Sequence, residues 1–216
     1  MPKYLTEFVG TCFLVLIIGC SVHSAGNLAP LPIGIGLACL IYMGGPVSGG
    51  HFNPAVTLGA LLCRKIDFKD AVRYWVVQVL GGIAGAFLAC AIMRKSFAPA
   101  PAPTAPIIAI LLAESAFTFM LVLVVLNTAT VKKVAGNSYF GAAIGLTITV
   151  GAFSVGAVSG GAFNPAVGIG PTIAHAALDQ GGFANLWYYL VGPLAGAVIA
   201  AGFFKIQHPG EKSEAA

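Results

Sequence analysis

The residues best suited to chemistry in this chain form two copies of Asn-Pro-Ala, at Asn53, Pro54 and Ala55 and at Asn164, Pro165 and Ala166. They lie in the stretches SGGHFNPAV (48–56) and SGGAFNPAV (159–167), which agree at eight of nine positions. Asn is a preferred N-cap residue, and Pro is favoured at the first helical position. Each copy therefore predicts a helix start, with the Asn side-chain oxygen accepting from a backbone N–H two or three residues ahead. The carboxamide NH₂ is then free to face outward as a donor.

The elements that carry these motifs are predicted to lie in a membrane. Apolar residues make up 58% of the chain and charged residues only 8%, whereas about 25% of residues are charged in soluble domains. Apolar runs close to the roughly 20 residues that span a bilayer predict six transmembrane helices. They cover residues 5–24, 31–47, 72–93, 107–129, 138–158 and 184–206. The first run lacks a small-residue cleavage pattern, so we expect a spanning helix there and not a removed signal.

Lys and Arg residues predict the orientation of these spans. With a cytoplasmic N-terminus, nine basic residues fall in cytoplasmic segments and two, Arg94 and Lys95, fall outside. The nine are Lys3, Arg64, Lys65, Lys69, Arg73, Lys132, Lys133, Lys205 and Lys212. By the positive-inside rule we expect a multi-pass protein of the inner (plasma) membrane with both termini in the cytoplasm. The basic residues sit at helix ends, so the net charge of +4 gives no support to a nucleic-acid partner.

The chain also predicts an internal repeat. Glu7 in the first span and Glu114 in the fourth are each followed by a second span, an Asn-Pro-Ala loop and a third span. Three spans per half place the halves in opposite orientations. The predicted parts are a first repeat (1–96, loop 48–63), a proline-rich connector (97–106), a second repeat (107–207, loop 159–177) and a polar tail (208–216). We expect the connector, FAPAPAPTAP, to be a stiff external link.

Neither Asn-Pro-Ala helix can cross the membrane, because roughly 11–14 residues give about 16–21 Å against about 30 Å of hydrocarbon. Non-helical backbone at that depth must be buried in protein or line a watery cavity. We therefore predict that a pore is lined by the loop backbone at Gly49, Gly50, His51, Gly160 and Ala162.

Three acidic or basic side chains in these elements have alternative interpretations. Glu7 and Glu114 are either a proton relay, as intramembrane acids often are, or structural anchors that accept hydrogen bonds from the loop backbone. Their matching places in the two halves favour the structural interpretation. His51 is either a solute contact or pH sensor, or a hydrogen-bonded anchor of its loop.

Over nearly its whole length the chain resembles the aquaporin and aquaglyceroporin family, the major intrinsic proteins. The resemblance rests on the paired Asn-Pro-Ala loops, Glu7 and Glu114, Gln78 in span three and YLVGPLAGA in span six. It implies an all-α membrane protein with six transmembrane helices plus two re-entrant half-helices in an inverted 3+3 repeat. It also implies one pore per subunit, a homotetramer surrounded by membrane lipids, and passive passage of water and small neutral solutes without a cofactor or metal.

The family pattern has a second constriction, and this chain departs from it there. Carried over by counting, its four positions read Ile33, Ala152, Gly161 and Val167. The resemblance leads us to expect an aromatic residue and an Arg among them, and neither is present. Gly168 stands where glycerol channels of the family often carry Asp, and Tyr189-Leu190 in span six matches neither the usual water-channel pair nor the usual glycerol-channel pair.

A wide filter without Arg resembles that of bacterial aquaglyceroporins linked to arsenic resistance. We therefore expect passage of glycerol, urea, neutral hydroxides such as arsenite and antimonite, methylated arsenicals, and water. The main alternative is a channel mainly for water. A secondary transporter also uses inverted repeats, but no Asp, Glu, Lys or Arg accompanies either Asn-Pro-Ala. An enzyme has no support, since neither a nucleophile with a base nor a metal-ligand cluster can be assembled.

Overall fold

The computed structural model describes residues 1–209, so most of the predicted polar tail (208–216) lies outside the described residues. Within residues 1–209 the chain forms eight α-helices and no strand. The helices are α1 (Pro2–Ser24), α2 (Pro30–Ser48), α3 (Pro54–Leu62), α4 (Phe68–Met93), α5 (Ile107–Ala129), α6 (Phe140–Ser159), α7 (Pro165–Asp179) and α8 (Tyr188–Gln207). Short 3₁₀ turns, Gly26–Leu28 and Lys132–Val134, precede α2 and α6.

Six of these helices are long and apolar enough to cross a membrane, namely α1, α2, α4, α5, α6 and α8. The predicted all-α class and its six spans are confirmed, and the starts of α4 and α8 show the largest shifts. Helix α4 begins at Phe68, earlier than predicted, because the Asp67 side chain accepts from the Asp70 N–H at 2.7 Å and caps the helix there. Helix α8 begins at Tyr188, later than predicted, because residues 184–187 form turns.

The other two helices are half-helices, and both begin at the Pro of an Asn-Pro-Ala motif. Helix α3 has 9 residues and α7 has 15, which correspond to about 14 Å and about 23 Å of helix. Helix α7 ends at Asp179, slightly beyond the predicted 177. Because neither length covers the hydrocarbon thickness of about 30 Å, each half-helix reaches only partway through the bundle.

The two halves use the same close pairing of helices, α4 on α1 and α8 on α5. Glycines lie in both contacts. An ideal Cβ on Gly85 would lie 2.1 Å from the Cys12 carbonyl oxygen, and one on Gly196 would lie 2.3 Å from the Ser115 carbonyl oxygen. These distances are far inside van der Waals contact, so the helices approach this closely only because no side chain intervenes.

The backbone that leads into each half-helix follows the same unusual path. In both loops the same three positions have positive φ, with values between 48° and 94°. They are Gly49, Gly50 and Phe52 in the first loop and Gly160, Gly161 and Phe163 in the second. Phe52 and Phe163 are non-glycine residues in a strained region, and both are almost fully buried. The surrounding structure must therefore hold them in place.

Glu7 of α1 bonds the first loop with both carboxylate oxygens. Its Oε1 accepts from the His51 N–H at 2.9 Å and the Ser48 hydroxyl at 2.7 Å. Its Oε2 accepts from the Phe52 N–H at 2.7 Å and the Gln78 Nε2 at 2.8 Å. Every partner is a donor, so the fully buried carboxylate stabilises loop N–H groups that have no helical partner.

Glu114 of α5 repeats this arrangement in the second half. It accepts from the Ala162 N–H at 3.1 Å, the Phe163 N–H at 2.7 Å and the Ser159 hydroxyl at 2.8 Å. The amide donor that Gln78 supplies to Glu7 has no counterpart, because the equivalent place in α8 is Pro193. Each loop is therefore held by three donors, and Glu7 has Gln78 of α4 as a fourth partner.

We expect Glu114→Gln to lower the free energy of unfolding by about 2–4 kcal/mol, since each hydrogen bond to a charged group contributes about 1.5–3 kcal/mol. The Gln side chain keeps one oxygen that accepts hydrogen bonds. Its NH₂ group is a donor and faces backbone N–H groups, which are also donors. Glu7→Gln disturbs four donors and should cost more than Glu114→Gln. Thermal unfolding of the purified protein in detergent measures both variants. Unchanged melting temperatures would contradict the anchoring role.

Gly85→Ala should lower the free energy of unfolding by about 1–3 kcal/mol, the usual range for overpacking. Gly202 is a matched control, because it also lies in a helix but an ideal Cβ there meets nothing within 4 Å. Gly202→Ala should leave stability unchanged or raise it by up to about 1 kcal/mol, because Ala is the better helix former. Thermal unfolding in the same detergent compares the two variants. Equal shifts would contradict the close approach of α1 and α4.

Candidate functional site

The two asparagines cap the half-helices, and their amides cross-connect the loops. The Asn53 Oδ1 accepts from the Ala55 N–H at 2.8 Å, and the Asn164 Oδ1 accepts from the Ala166 N–H at 2.9 Å. The Asn53 Nδ2 donates to the Phe163 carbonyl oxygen at 2.9 Å, and the Asn164 Nδ2 donates to the Phe52 carbonyl oxygen, also at 2.9 Å. Each loop thus fixes the asparagine of the other.

The prediction that each amide NH₂ is free to face outward is wrong for one of the two hydrogens. One of its two hydrogens is committed to the carbonyl of the opposite loop, so a single N–H per asparagine is left for other partners. The physical reason is that the Phe carbonyls, at positive φ, have no helical partner of their own. Every residue has a backbone carbonyl, so residue types do not show which carbonyl accepts a side-chain hydrogen bond. The only sequence signal was that Phe precedes Asn in both loops.

A cavity of about 390 Å³ runs along the bundle past both asparagines. All four predicted filter residues line it: Ile33, Ala152, Gly161 and Val167. Of the predicted loop-backbone residues, Gly50, His51, Gly160 and Ala162 also line it. The end opposite the chain termini, which we call the far mouth, is bordered by Val22, Ala29 and Pro30. There α1 ends and α2 begins.

Gly49 is not among the residues that line this cavity. It ends α2 in a left-handed conformation and donates its N–H to the Gly45 carbonyl. The Pro and Ala of each motif, Pro54, Ala55, Pro165 and Ala166, are also absent from the lining. They form the buried first turns of α3 and α7. Within the motifs, only the asparagine side chains reach the cavity.

The lining is mostly apolar. Among the described residues that form it, the polar side chains are His51, Asn53 and Asn164, and none is an Asp, Glu, Lys or Arg. Helices α1, α2, α5 and α6 contribute Leu, Ile, Val and Ala side chains. Such a cavity offers hydrogen-bond donors at its centre and weak solvation elsewhere, so it favours small neutral polar molecules over ions.

His51 is held by neighbouring side chains and also faces the cavity. Its Nδ1 lies 3.0 Å from the Thr57 Oγ1, and its ring makes an edge contact with Tyr74 at 5.3 Å between ring centroids. The same side chain lines the cavity on the side of the chain termini. The equivalent position in the second loop is Ala162, so the two sides of the cavity differ in polarity.

The proline-rich connector lies at the far mouth and also takes part in the lining of the cavity. Phe97, Ala98, Pro99 and Ala100 line the cavity at the far mouth. The Ala102 N–H donates to the Val158 carbonyl at 3.0 Å, which ties the connector to the end of α6. Sequence reasoning missed these residues, because an alternating Pro-Ala stretch indicates extension but not where the extended segment lies.

Comparison with known proteins gives a consistent result. The family model described as "Major intrinsic protein" matches residues 1–204. The chain is 35% identical to "Glycerol uptake facilitator protein-like 6" of Lactiplantibacillus plantarum, over 93% of this chain and 95% of the relative. It is 32% identical to "Aquaporin NIP1-1" of Oryza sativa subsp. japonica, over 95% of this chain and 74% of that protein.

A solved structure has the same fold. The aquaglyceroporin from Plasmodium falciparum superposes with a TM-score of 0.86 over 96% of this chain and 97% of its own, at 22% sequence identity. Members of this family are passive channels that carry water and small solutes, are typically tetrameric and are not enzymes, which excludes the secondary-transporter alternative. The family resemblance seen in the sequence is confirmed: this chain is a multi-pass membrane channel and belongs to the major intrinsic protein family.

Proposed function

We propose that this chain is a passive channel for small uncharged polar solutes with a wide filter that lacks arginine. One observation carries the proposal: Val167 lines the cavity at the position where the family resemblance leads us to expect Arg. Val supplies neither the fixed charge nor the five N–H donors of a guanidinium. Ala152 and Gly161 beside it add almost no bulk. The opening at this level is therefore bounded by the apolar side chains of Ile33, Ala152 and Val167 and by the loop backbone.

The solutes that fit such an opening carry hydroxyl or amide groups and no charge. They comprise glycerol, urea, arsenite and antimonite as neutral hydroxides, methylated arsenicals, and water. At the centre, the remaining N–H of Asn53 and of Asn164 donates to a solute oxygen, while the apolar wall contacts its carbon or arsenic side. The name of the bacterial relative, a glycerol uptake facilitator-like protein, agrees with this solute class.

Ions are opposed by the same groups. Helices α3 and α7 begin next to the cavity, and a helix N-terminus carries about half a positive charge. Two such ends and two amide donors repel a cation, and the apolar lining replaces none of its hydration. We therefore expect solute flux without measurable conductance.

The surroundings of the channel are proposed from its exposed surface. Large apolar side chains such as Leu5, Ile92, Leu112 and Ile199 are more than half exposed. We propose that these faces contact lipid and the other subunits of a homotetramer. The distribution of Lys and Arg supports insertion in the inner (plasma) membrane with both termini in the cytoplasm.

Proteoliposomes provide the test. Stopped-flow light scattering measures water, urea and glycerol permeability, arsenite uptake is followed chemically, and planar bilayers report conductance. The proposal expects glycerol and arsenite flux along the gradient with low activation energy and no conductance. Water flux without glycerol or arsenite flux would instead identify a channel mainly for water.

Val167→Arg should lower glycerol and arsenite flux by about tenfold while reducing water flux less, since one change in pocket size discriminates by at least about that factor. The long cation narrows the opening and fixes a charge in an apolar wall. Val167→Met is the matched control, because it adds length without charge or donors and separates bulk from electrostatics. Permeability per reconstituted protein measures all three proteins. Equal or greater glycerol and arsenite flux in Val167→Arg would show that residue 167 does not set the aperture.

A further inference from the structure

The far mouth contains an aromatic side chain that the filter positions do not supply. Phe97 is the one Phe, Tyr or Trp among the described residues that line the cavity. It comes from the connector between the two repeats and not from a helix or an Asn-Pro-Ala loop. The four filter positions are aliphatic or glycine. Bulk at the far mouth therefore depends on the connector.

The ring of Phe97 occupies a built recess. An ideal Cβ on Gly19 of α1 would lie 2.4 Å from the Phe97 Cε1, so the ring fits there only because residue 19 has no side chain. The ring also makes an edge contact with His23 at 6.2 Å between centroids. It packs against a buried cluster whose members include Val15, Ala162 and Val167, so the ring and the filter residue Val167 belong to one packed unit.

The segment that carries Phe97 is fastened on both sides. The preceding residue, Ser96, places its Oγ 2.5 Å from the His175 Nδ1 and also donates to Asp179, at the end of α7. On the other side, an ideal Cβ on Gly160 would lie 2.9 Å from both the N and the O of Ala100. Ala102 then bonds to α6, as described above. A segment held at three places keeps the ring at a fixed position in the wall of the far mouth.

We propose that Phe97 is a specificity-determining residue, which supplies from the connector the aromatic wall that limits the size of solutes admitted by the arginine-free filter. This inference rests on the proposed function, since it concerns the solutes of that same pore. A rigid flat ring contacts the carbon side of a polyol and leaves its hydroxyl groups toward the backbone carbonyls of the loops. The small residues at the filter then need not distinguish solutes of different size by themselves.

The first experiment varies the size of residue 97 and of the solute together. Wild type, Phe97→Ala and Phe97→Trp are reconstituted, and permeabilities are measured for water, urea, glycerol, erythritol and xylitol. Phe97→Ala should raise the erythritol-to-water permeability ratio by about tenfold, and Phe97→Trp should lower the glycerol-to-water ratio by a similar factor. Phe13→Ala is the matched control, because Phe13 lies on α1 but is 48% exposed on the outer surface. Its permeabilities across this series of solutes should equal those of wild type.

The outcomes separate this inference from the proposed function. Absence of glycerol flux in wild type would overturn the proposed function and this inference with it. Glycerol flux in wild type with an unchanged size series in both residue 97 variants would overturn the inference alone. If Phe97→Ala lowers all fluxes in parallel, the ring is only structural, and the inference is also overturned.

A second experiment probes position 97 directly. It compares one variant before and after labelling, so a difference in stability between variants does not affect the result. In Phe97→Cys, a bulky methanethiosulfonate reagent added from the far-mouth side should block most glycerol flux. Treated wild type is the control for the native cysteines Cys12, Cys20, Cys39, Cys63 and Cys90. Reaction of the introduced thiol without loss of flux would overturn the proposal.

Ser96→Ala loosens the segment without changing residue 97. It should shift the permeabilities across the solute series in the same direction as Phe97→Ala, by a smaller factor.

Discussion

The structure depends on one constraint: two stretches of non-helical backbone lie inside a bundle with no bulk water to satisfy their N–H groups. Glu7 and Glu114 meet that constraint from α1 and α5. A carboxylate is suited to this, because its two oxygens can accept several donors at once. With the N–H groups fixed, Phe52 and Phe163 stay at positive φ, and their carbonyls turn toward the opposite loop. The anchors therefore set the direction of the groups that reach the pore.

The reciprocal amide bonds are the next consequence. Asn53 and Asn164 each use their oxygen on the half-helix they cap and one N–H on the other loop. A side chain bonded on both sides cannot rotate toward the solute, so the remaining donor has a fixed direction. Such preorganisation matters in an apolar wall, where an unmet donor or acceptor is costly for protein and solute alike. The pair presents two fixed donors at the centre, and no Asp, Glu, Lys or Arg is found among the described residues of the lining.

The parts of the fold that were predictable depend on neighbours in sequence. Asn and Pro at a helix start predicted α3 and α7, and apolar runs predicted the six spans, because capping and hydropathy are local properties. What was missed depends on contacts between residues far apart in the sequence or on backbone atoms. The Phe163 carbonyl as partner of Asn53 is one case. The turn of Phe97 into the far mouth is another, since its recess exists only where Gly19 faces the connector.

The inverted repeat also indicates where specificity can vary. Residues shared by both halves build the centre, and a change in one of them disturbs a matched pair of anchors or caps. Val167 repeats Val56. The two loops are therefore alike at this position, whereas the family pattern leads us to expect Arg in the second loop. The connector has no counterpart in the repeat, because it joins the halves once. A side chain placed there can alter the mouth without breaking the symmetry of the anchors, and Phe97 occupies that position.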